Sequence, residues 1–197
     1  IAWADVESKL DVMTVLSQCG ESPMLENSEK PCILGIDTGK LLHAVVLRED
    51  PEDWNKHHLV HLAICRDFSE LDGLMEKFHV EKCVIDALPE THSTRAFAER
   101  HAGKVFMCIF NDNQSGPPTW DAQTHGVRMN RTEALDASRA AVRKKLLILP
   151  RQDPRVKEFA EQMTQDARVL VEDKVTGEQR YKYAKIGVNH FSLAFTY

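Results

Sequence analysis

The stretch Ile33-Leu34-Gly35-Ile36-Asp37-Thr38-Gly39-Lys40 decides the fold class. Its first four residues form a short, mostly apolar run, which predicts a buried strand that ends on a carboxylate. Residues 38–40 form a tight-turn sequence, and further strand-like runs follow at 41–47 and 58–65. Because the links between these runs are short, we predict three consecutive antiparallel strands.

Helical and strand patterns alternate farther along the chain. We predict a helix at 68–78 with Ser69 as its N-cap, strands at 83–87, 105–110 and 127–130, and helices at 90–100, 131–145 and 154–164. Three strands followed by helix, strand, helix, strand and more helix is an α/β order with a mixed sheet. This order is typical of the RNase H-like fold.

The two ends of the chain carry additional elements. Near the C-terminus, 168–173 and 179–183 flank Thr176-Gly177, which predicts an extra β-hairpin before a last helix that starts near Val188. At the other end, apolar spacing predicts a helix over 3–18, followed by a polar linker. We therefore expect a lead-in helix and linker at 1–31 and an RNase H-like domain at 32–197. Because the sequence begins with Ile1 and stops at Tyr197 within a predicted helix, we also expect a longer parent polypeptide.

Composition excludes several protein classes. Of the 197 residues, 43% are hydrophobic and 28% are charged, which is the ordinary balance of a globular protein. There is no apolar run of membrane-spanning length and no secretory signal pattern. The five cysteines are odd in number, widely spaced and free of Cys-x-x-Cys pairs, which predicts a reducing compartment and no cysteine zinc site.

Charge is distributed unevenly along the chain. The net charge is −5, yet residues 128–157 contain nine basic and three acidic residues, a local charge of +6 that leaves −11 for the remainder. One positive face on an acidic body is the pattern expected of a phosphate-binding surface. A solvated helix face is the alternative interpretation.

Two aspartates follow short, mostly apolar runs. Asp37 ends the first predicted strand, and Asp86 lies near the end of the fourth. If these strands are parallel neighbours, both carboxylates meet at one sheet edge, where a divalent cation would offset their repulsion. Oxygen ligands suit Mg²⁺ or Mn²⁺. The alternative is a turn role, since Asp37-Thr38-Gly39 is a good turn by itself.

Asn189 and His190 begin the last predicted helix. Asparagine is a preferred N-cap, so a capping role is one interpretation. The other places this helix start beside the two aspartates, where a third oxygen or a histidine nitrogen reaches the cation. The remaining histidines, His43 among them, form no metal-binding array in the sequence, and we expect them to be solvated or in the core.

Three features, in this order, resemble the nuclease domain of the large terminase subunit of tailed double-stranded DNA bacteriophages. They are the Gly-Ile-Asp of 35–37 opening a hairpin, the Val-Ile-Asp of 84–86 leading to a helix, and the segments 131–136 and 147–150 followed by the Asn-His-Phe-Ser-Leu-Ala of 189–194. The last segment is the most specific, because the family ends this domain with an Asp-His-x-x-x-Ala helix. The resemblance covers residues 33–197.

The resemblance implies a metal-dependent endonuclease that cuts concatemeric double-stranded DNA during viral genome packaging. It implies one or two Mg²⁺ or Mn²⁺ ions held by Asp37, Asp86 and Asn189, with His190 assisting, and a metal-activated water that attacks the phosphodiester. It also implies an upstream ATPase domain, a portal protein and a small terminase subunit as partners, no membrane, and location in the host cell cytoplasm rather than the mature virion. The implied DNA-binding residues are Arg128, Arg131, Arg139, Arg143, Lys144 and Lys145.

The departure from the family pattern is Asn189, where an aspartate is expected. Natural variation and an engineered, inactivating substitution both explain it, and the good fit of the neighbouring residues favours the second. On that hypothesis Asn189→Asp raises metal-dependent plasmid cleavage. Two other functions stay open: another RNase H-like nuclease such as a Holliday-junction resolvase, and a non-catalytic DNA- or portal-binding module.

Overall fold

Residues 33–40 form the end of a strand and the turn after it. In a computed structural model, which describes residues 3–4, 9–172 and 177–197, strand β2 (Cys32–Asp37) pairs with β3 (Leu42–Glu49), and β3 pairs with β4 (His57–Cys65). Both pairings are antiparallel. The predicted three-stranded antiparallel unit is confirmed.

The other half of this sheet is mainly parallel. Strand β5 (Val80–Asp86) lies parallel to β2, followed by β6 (Val105–Phe110) and β8 (Gly126–Met129). Two short strands complete the sheet, β7 (Thr119–Asp121), which was not predicted, and β9 (Leu147–Ile148). The order β7-β8-β6-β5-β2-β3-β4-β9 gives a mixed eight-stranded sheet, which agrees with the predicted RNase H-like fold.

Helices cover both faces of the sheet. Helices α2 (Phe68–Lys77) and α3 (Thr91–Arg100) pack on one face over side chains such as Ile36 and Ile85. The opposite face is covered by α1 (Val12–Leu16), α4 (Arg131–Arg143), α5 (Pro154–Gln162) and α6 (His190–Thr196). One helix start differs from the prediction. The N-cap of α2 is Asp67, whose carboxylate accepts from the backbone N–H groups of Ser69 and Glu70.

A second, three-stranded sheet lies outside the main one. Strands β10 (Asp166–Glu172) and β11 (Gln179–Lys185) form the predicted antiparallel hairpin, and β1 (Trp3–Ala4) pairs with β10. The prediction of a helix over 3–18 is therefore wrong at its start and too long, since the helix begins after Asp11. Residues 5–8 and Thr176, which the predictions also covered, lie outside the described residues.

The segment before β2 packs on the sheet. Leu10 and Val15 are buried in the same apolar cluster as Val45 of β3 and Phe159 of α5. The domain boundary at residue 31 stays a prediction. Among the described helices, none has the length and hydropathy that crossing a membrane requires.

Gly35 allows α6 to lie directly against β2. A Cβ atom at this position would lie 1.9 Å from the carbonyl oxygen of Ala194 and 3.0 Å from its carbonyl carbon. Both are backbone atoms, so no side-chain rotation would relieve the overlap. Glycine is thus required for this strand–helix contact.

We expect Gly35→Ala to lower the free energy of unfolding by about 3 kcal/mol, because α6 must move away from the sheet. Urea denaturation monitored by circular dichroism measures the change. Gly73→Ala is the matched control. A Cβ at Gly73 meets nothing within 4 Å, and alanine there raises helix propensity by about 1 kcal/mol. Equal stability of the Gly35→Ala variant and the unmodified chain would contradict the packing argument.

Candidate functional site

Two neighbouring parallel strands bring Asp37 and Asp86 to one edge of the sheet. Ile36 of β2 is in register with Ile85 of β5, and each aspartate is the next residue along its strand. The Asp37 side chain is 4% exposed. The negative charge of Asp86 contributes to a raised pKa of the Asp37 carboxyl. The sequence-based expectation that the two strands are parallel neighbours is confirmed.

Helix α6 adds a histidine to this edge. Nδ1 of His190 lies 2.7 Å from Oδ2 of Asp37, a hydrogen-bonding distance. The contact joins residues 153 positions apart in the sequence. The contact forms because α6 packs on β2 at Gly35, and this packing places the start of the helix beside the end of the strand.

His43 completes a cluster that the sequence analysis did not find. It pairs with Asp37 in the β2–β3 register, and its ring stacks on that of His190 with centroids 4.6 Å apart. The residue is 7% exposed, and its Nδ1 atom makes no hydrogen bond of acceptable geometry with the described residues. One ligand atom from each of Asp37, His43 and His190 lies within 4.8 Å of the other two. The predicted hairpin was the signal that could have revealed this histidine.

The pKa values in this cluster reflect burial. Loss of solvent raises the pKa of Asp37 to about 6, although the hydrogen bond and charge of His190 oppose the rise. Burial, together with the neighbouring His190, lowers the pKa of His43 to about 4. Burial also raises the pKa of Asp86. Burial makes the charged form of these carboxylates unfavourable, and the neighbouring His43 imidazole is uncharged near neutral pH. A bound cation would stabilise the charged carboxylates.

Asp86 is held by the loop that follows it. The backbone N–H of Leu88 donates to Oδ1 of Asp86 at 3.2 Å. The nearby Tyr197 hydroxyl lowers the pKa of the same carboxyl and so opposes the larger effect of burial. The Thr38 hydroxyl donates to the carbonyl of Leu88 and so joins the segments that follow the two aspartates. The first bond orients the Asp86 carboxylate, and the second holds the two segments together.

Asn189 has a different environment from the one predicted. Its side chain makes no capping hydrogen bond, and Nδ2 donates instead to Oδ1 of Asp166 at 2.7 Å. Asp166 in turn accepts from the guanidinium of Arg139 at 3.0 Å, and Arg139 donates to the Ser192 hydroxyl at 2.8 Å. All four residues are buried. Asn189 therefore anchors the start of α6 in a buried polar network.

This geometry argues against Asn189 as an inactivating replacement of aspartate. A carboxylate at this position would face the Asp166 carboxylate across a hydrogen-bonding distance, and an amide donor satisfies that acceptor. Oδ1 of Asn189 is buried and has no partner among the described residues. The ligand role of Asn189 stays a prediction.

The predicted DNA-binding residues do not form one surface. Arg139 is 2% exposed and ion-paired with Asp166, so the prediction that it contacts DNA is wrong. Arg131 lies near Asp86, whose pKa its charge lowers. The C-terminal end of α4, with Arg143, Lys144 and Lys145, lies about 20 Å farther along the helix axis. Arg128 is exposed on β8.

Lys185 is a basic residue near the site, and it was not among the residues predicted from the sequence. It is exposed at the end of β11, and its charge lowers the pKa of Asp37. Its position four residues before Asn189 was the available signal. A phosphate that approaches Asp37 would therefore meet Lys185 and Arg131 rather than the end of α4.

We expect Asn189→Asp to destabilise the protein by about 3 kcal/mol near neutral pH, because it leaves two buried carboxylates in contact. In the variant, one carboxyl of the pair is harder to ionise than an aspartate of the unfolded chain, so its pKa is raised. The loss of free energy of unfolding is therefore smaller at about pH 5 than at about pH 7.5. Urea unfolding at both pH values measures this. Asn113→Asp at an exposed site is the control and should stay within about 0.5 kcal/mol. A pH-independent stability of the Asn189→Asp variant would contradict the network.

Comparisons with known proteins indicate what this fold resembles. No protein-family model matches the chain, and no curated protein matches it. The structure is similar to that of a large terminase from a thermophilic bacteriophage, with a TM-score of 0.55 and 11% sequence identity. The similarity covers 93% of this chain and 44% of the terminase chain, so this chain spans less than half of that protein's length. At this identity the likeness concerns the fold, which this chain shares with part of a phage large terminase.

Proposed function

We propose that this chain is the nuclease domain of a phage large terminase and cleaves concatemeric double-stranded DNA during genome packaging. The observation that carries the proposal is the convergence of Asp37, Asp86 and His190 at one edge of an RNase H-like sheet. The likeness in fold to part of a phage large terminase supports it. Mg²⁺ or Mn²⁺, as one or two ions, is the proposed cofactor.

The donor set fits a divalent cation. The buried Asp37 carboxylate has Asp86 as a like-charged neighbour, and a ring nitrogen of His43 lies within 4.8 Å of ligand atoms of Asp37 and His190. Asp37 and Asp86 would hold the ion, with His190 and Asn189 as further proposed ligands. A bound divalent ion supplies a Lewis acid for the phosphate and lowers the pKa of a coordinated water.

The protein's own groups would orient the reactants. The Leu88 N–H orients the Asp86 carboxylate, and His190 orients that of Asp37. Lys185 and Arg131 carry positive charge beside these acids and would attract the phosphodiester backbone. Such contacts are independent of base sequence, which suits the cutting of concatemers at many sites.

The remaining partners follow from the proposed family. An ATPase domain would precede this segment in the same polypeptide, and a portal protein and a small terminase subunit would assemble with it in the host cell cytoplasm. The similar terminase is more than twice as long as the matched region, which leaves room for such a domain.

Asp37→Asn should reduce Mg²⁺- or Mn²⁺-dependent cleavage of supercoiled plasmid by at least about 100-fold, because a neutral amide replaces the buried carboxylate that binds the ion. Asp86→Asn should have a similar effect. Gel assays of plasmid relaxation and linearisation measure the rates.

Glu99→Gln is the matched control, since Glu99 is an exposed acid on α3. This variant should cleave at the unmodified rate. Metal-dependent cleavage that survives Asp37→Asn would refute the proposed function. So would the absence of cleavage by the unmodified chain with both Mg²⁺ and Mn²⁺.

Lys185→Ala should weaken binding to a short DNA duplex and reduce the slope of log K against log salt by about one, as expected for one lost phosphate contact. Lys144→Ala tests the surface predicted from the sequence, because Lys144 is exposed at the far end of α4. Fluorescence anisotropy at several salt concentrations measures both variants. A loss confined to Lys144→Ala would place DNA away from the proposed site.

A further inference from the structure

The two sides of Asp37 differ in their chemistry. Toward β5 it faces the carboxylate of Asp86, whereas toward β3 and α6 it faces the imidazoles of His43 and His190. Carboxylate oxygens prefer hard ions such as Mg²⁺, whereas imidazole nitrogens prefer borderline transition metals. One carboxylate thus borders an oxygen-rich position and a nitrogen-rich position.

His43 has the features of a ligand without its ion. Only 7% of the residue is exposed, yet its Nδ1 atom makes no hydrogen bond of acceptable geometry within the part of the chain that the structure describes. Buried polar atoms in proteins are almost always satisfied, so an orphaned nitrogen here requires an explanation. The stack on His190 and the edge contact with Phe191 fix the plane of the ring without satisfying that nitrogen.

The distances suit a shared ion. The three ligand atoms of Asp37, His43 and His190 lie within 4.8 Å of one another. Atoms bound to one ion at about 2.1 Å lie at most about 4.2 Å apart, so the cluster is close to the size that one ion requires. Two imidazoles and one carboxylate leave one position of a tetrahedral site open.

We propose that Asp37, His43 and His190 bind a borderline divalent ion such as Zn²⁺ or Co²⁺, at a position distinct from the Mg²⁺ or Mn²⁺ position between Asp37 and Asp86. The inference rests on the proposed function, because Asp37 and His190 are proposed ligands at both positions. Occupation of the nitrogen-rich position therefore competes with the use of Asp37 in cleavage, and Zn²⁺ inhibits the Mg²⁺-dependent reaction.

The test measures metal binding without DNA. Zn²⁺ is titrated into the unmodified chain, into His43→Phe and into His57→Gln by calorimetry, and melting temperatures are recorded with and without Zn²⁺. Phenylalanine keeps the ring stack but removes the nitrogen. His57 lies at the opposite end of the β3–β4 pairing, so its loss controls for weak surface binding. We expect one Zn²⁺ per chain, unchanged in His57→Gln and at least about 10-fold weaker in His43→Phe.

A spectroscopic measurement needs no variant. Co²⁺ added to the unmodified chain should give visible absorption bands of nitrogen ligation, which excess Zn²⁺ removes. Absence of those bands, or equal Zn²⁺ affinity in a folded His43→Phe variant, would overturn the inference.

Parallel cleavage assays separate this inference from the proposed function. If the chain cleaves DNA with Mg²⁺ but does not bind Zn²⁺ or Co²⁺ at His43, only the proposal of a nitrogen-rich site is overturned. Zn²⁺ binding that depends on His43, in a chain that cleaves no DNA with Mg²⁺ or Mn²⁺, overturns only the nuclease proposal.

Discussion

The missing side chain at Gly35 is the constraint on which the rest of the site depends. Helix α6 approaches β2 so closely that any Cβ would overlap the backbone of Ala194. That approach places His190 on Asp37 and stacks it over His43. The strand supplies one candidate ligand and the helix another, and a Cβ at residue 35 would move the helix and its histidine away from the strand.

Much of the fold was predictable because strands and helices differ in apolar spacing. The run at 33–37 and its tight turn gave the antiparallel unit, and the ends of β2 and β5 gave the pair Asp37 and Asp86. His43 was missed because its role depends on strand register, which places it opposite Asp37. Arg139 was misassigned because a charge pattern along a helix does not reveal which face a neighbouring element covers.

The buried ion pair of Arg139 and Asp166 joins helix α4 to β10, the strand of the second sheet that begins at Asp166. Isolated buried charges are unfavourable, so each needs partners, and Asn189 and Ser192 of the α6 region supply them. Gln162 at the end of α5 accepts from the N–H of Phe191 at 2.7 Å. His190 therefore sits between two anchored residues, which limits the orientations available to its ring. Most residues of this network lie in segments that share no sequence motif, so the sequence did not indicate that they meet.

The 153-residue separation between Asp37 and His190 has a consequence for the newly made chain. A ribosome finishes β2 and β5 long before it adds α6, so the nascent polypeptide carries both aspartates without the imidazole that fixes one of them. Contacts so distant along the chain also form slowly. The cluster of Asp37, His43 and His190 thus forms last, after the rest of the sheet. A chain interrupted before residue 190 would lack it.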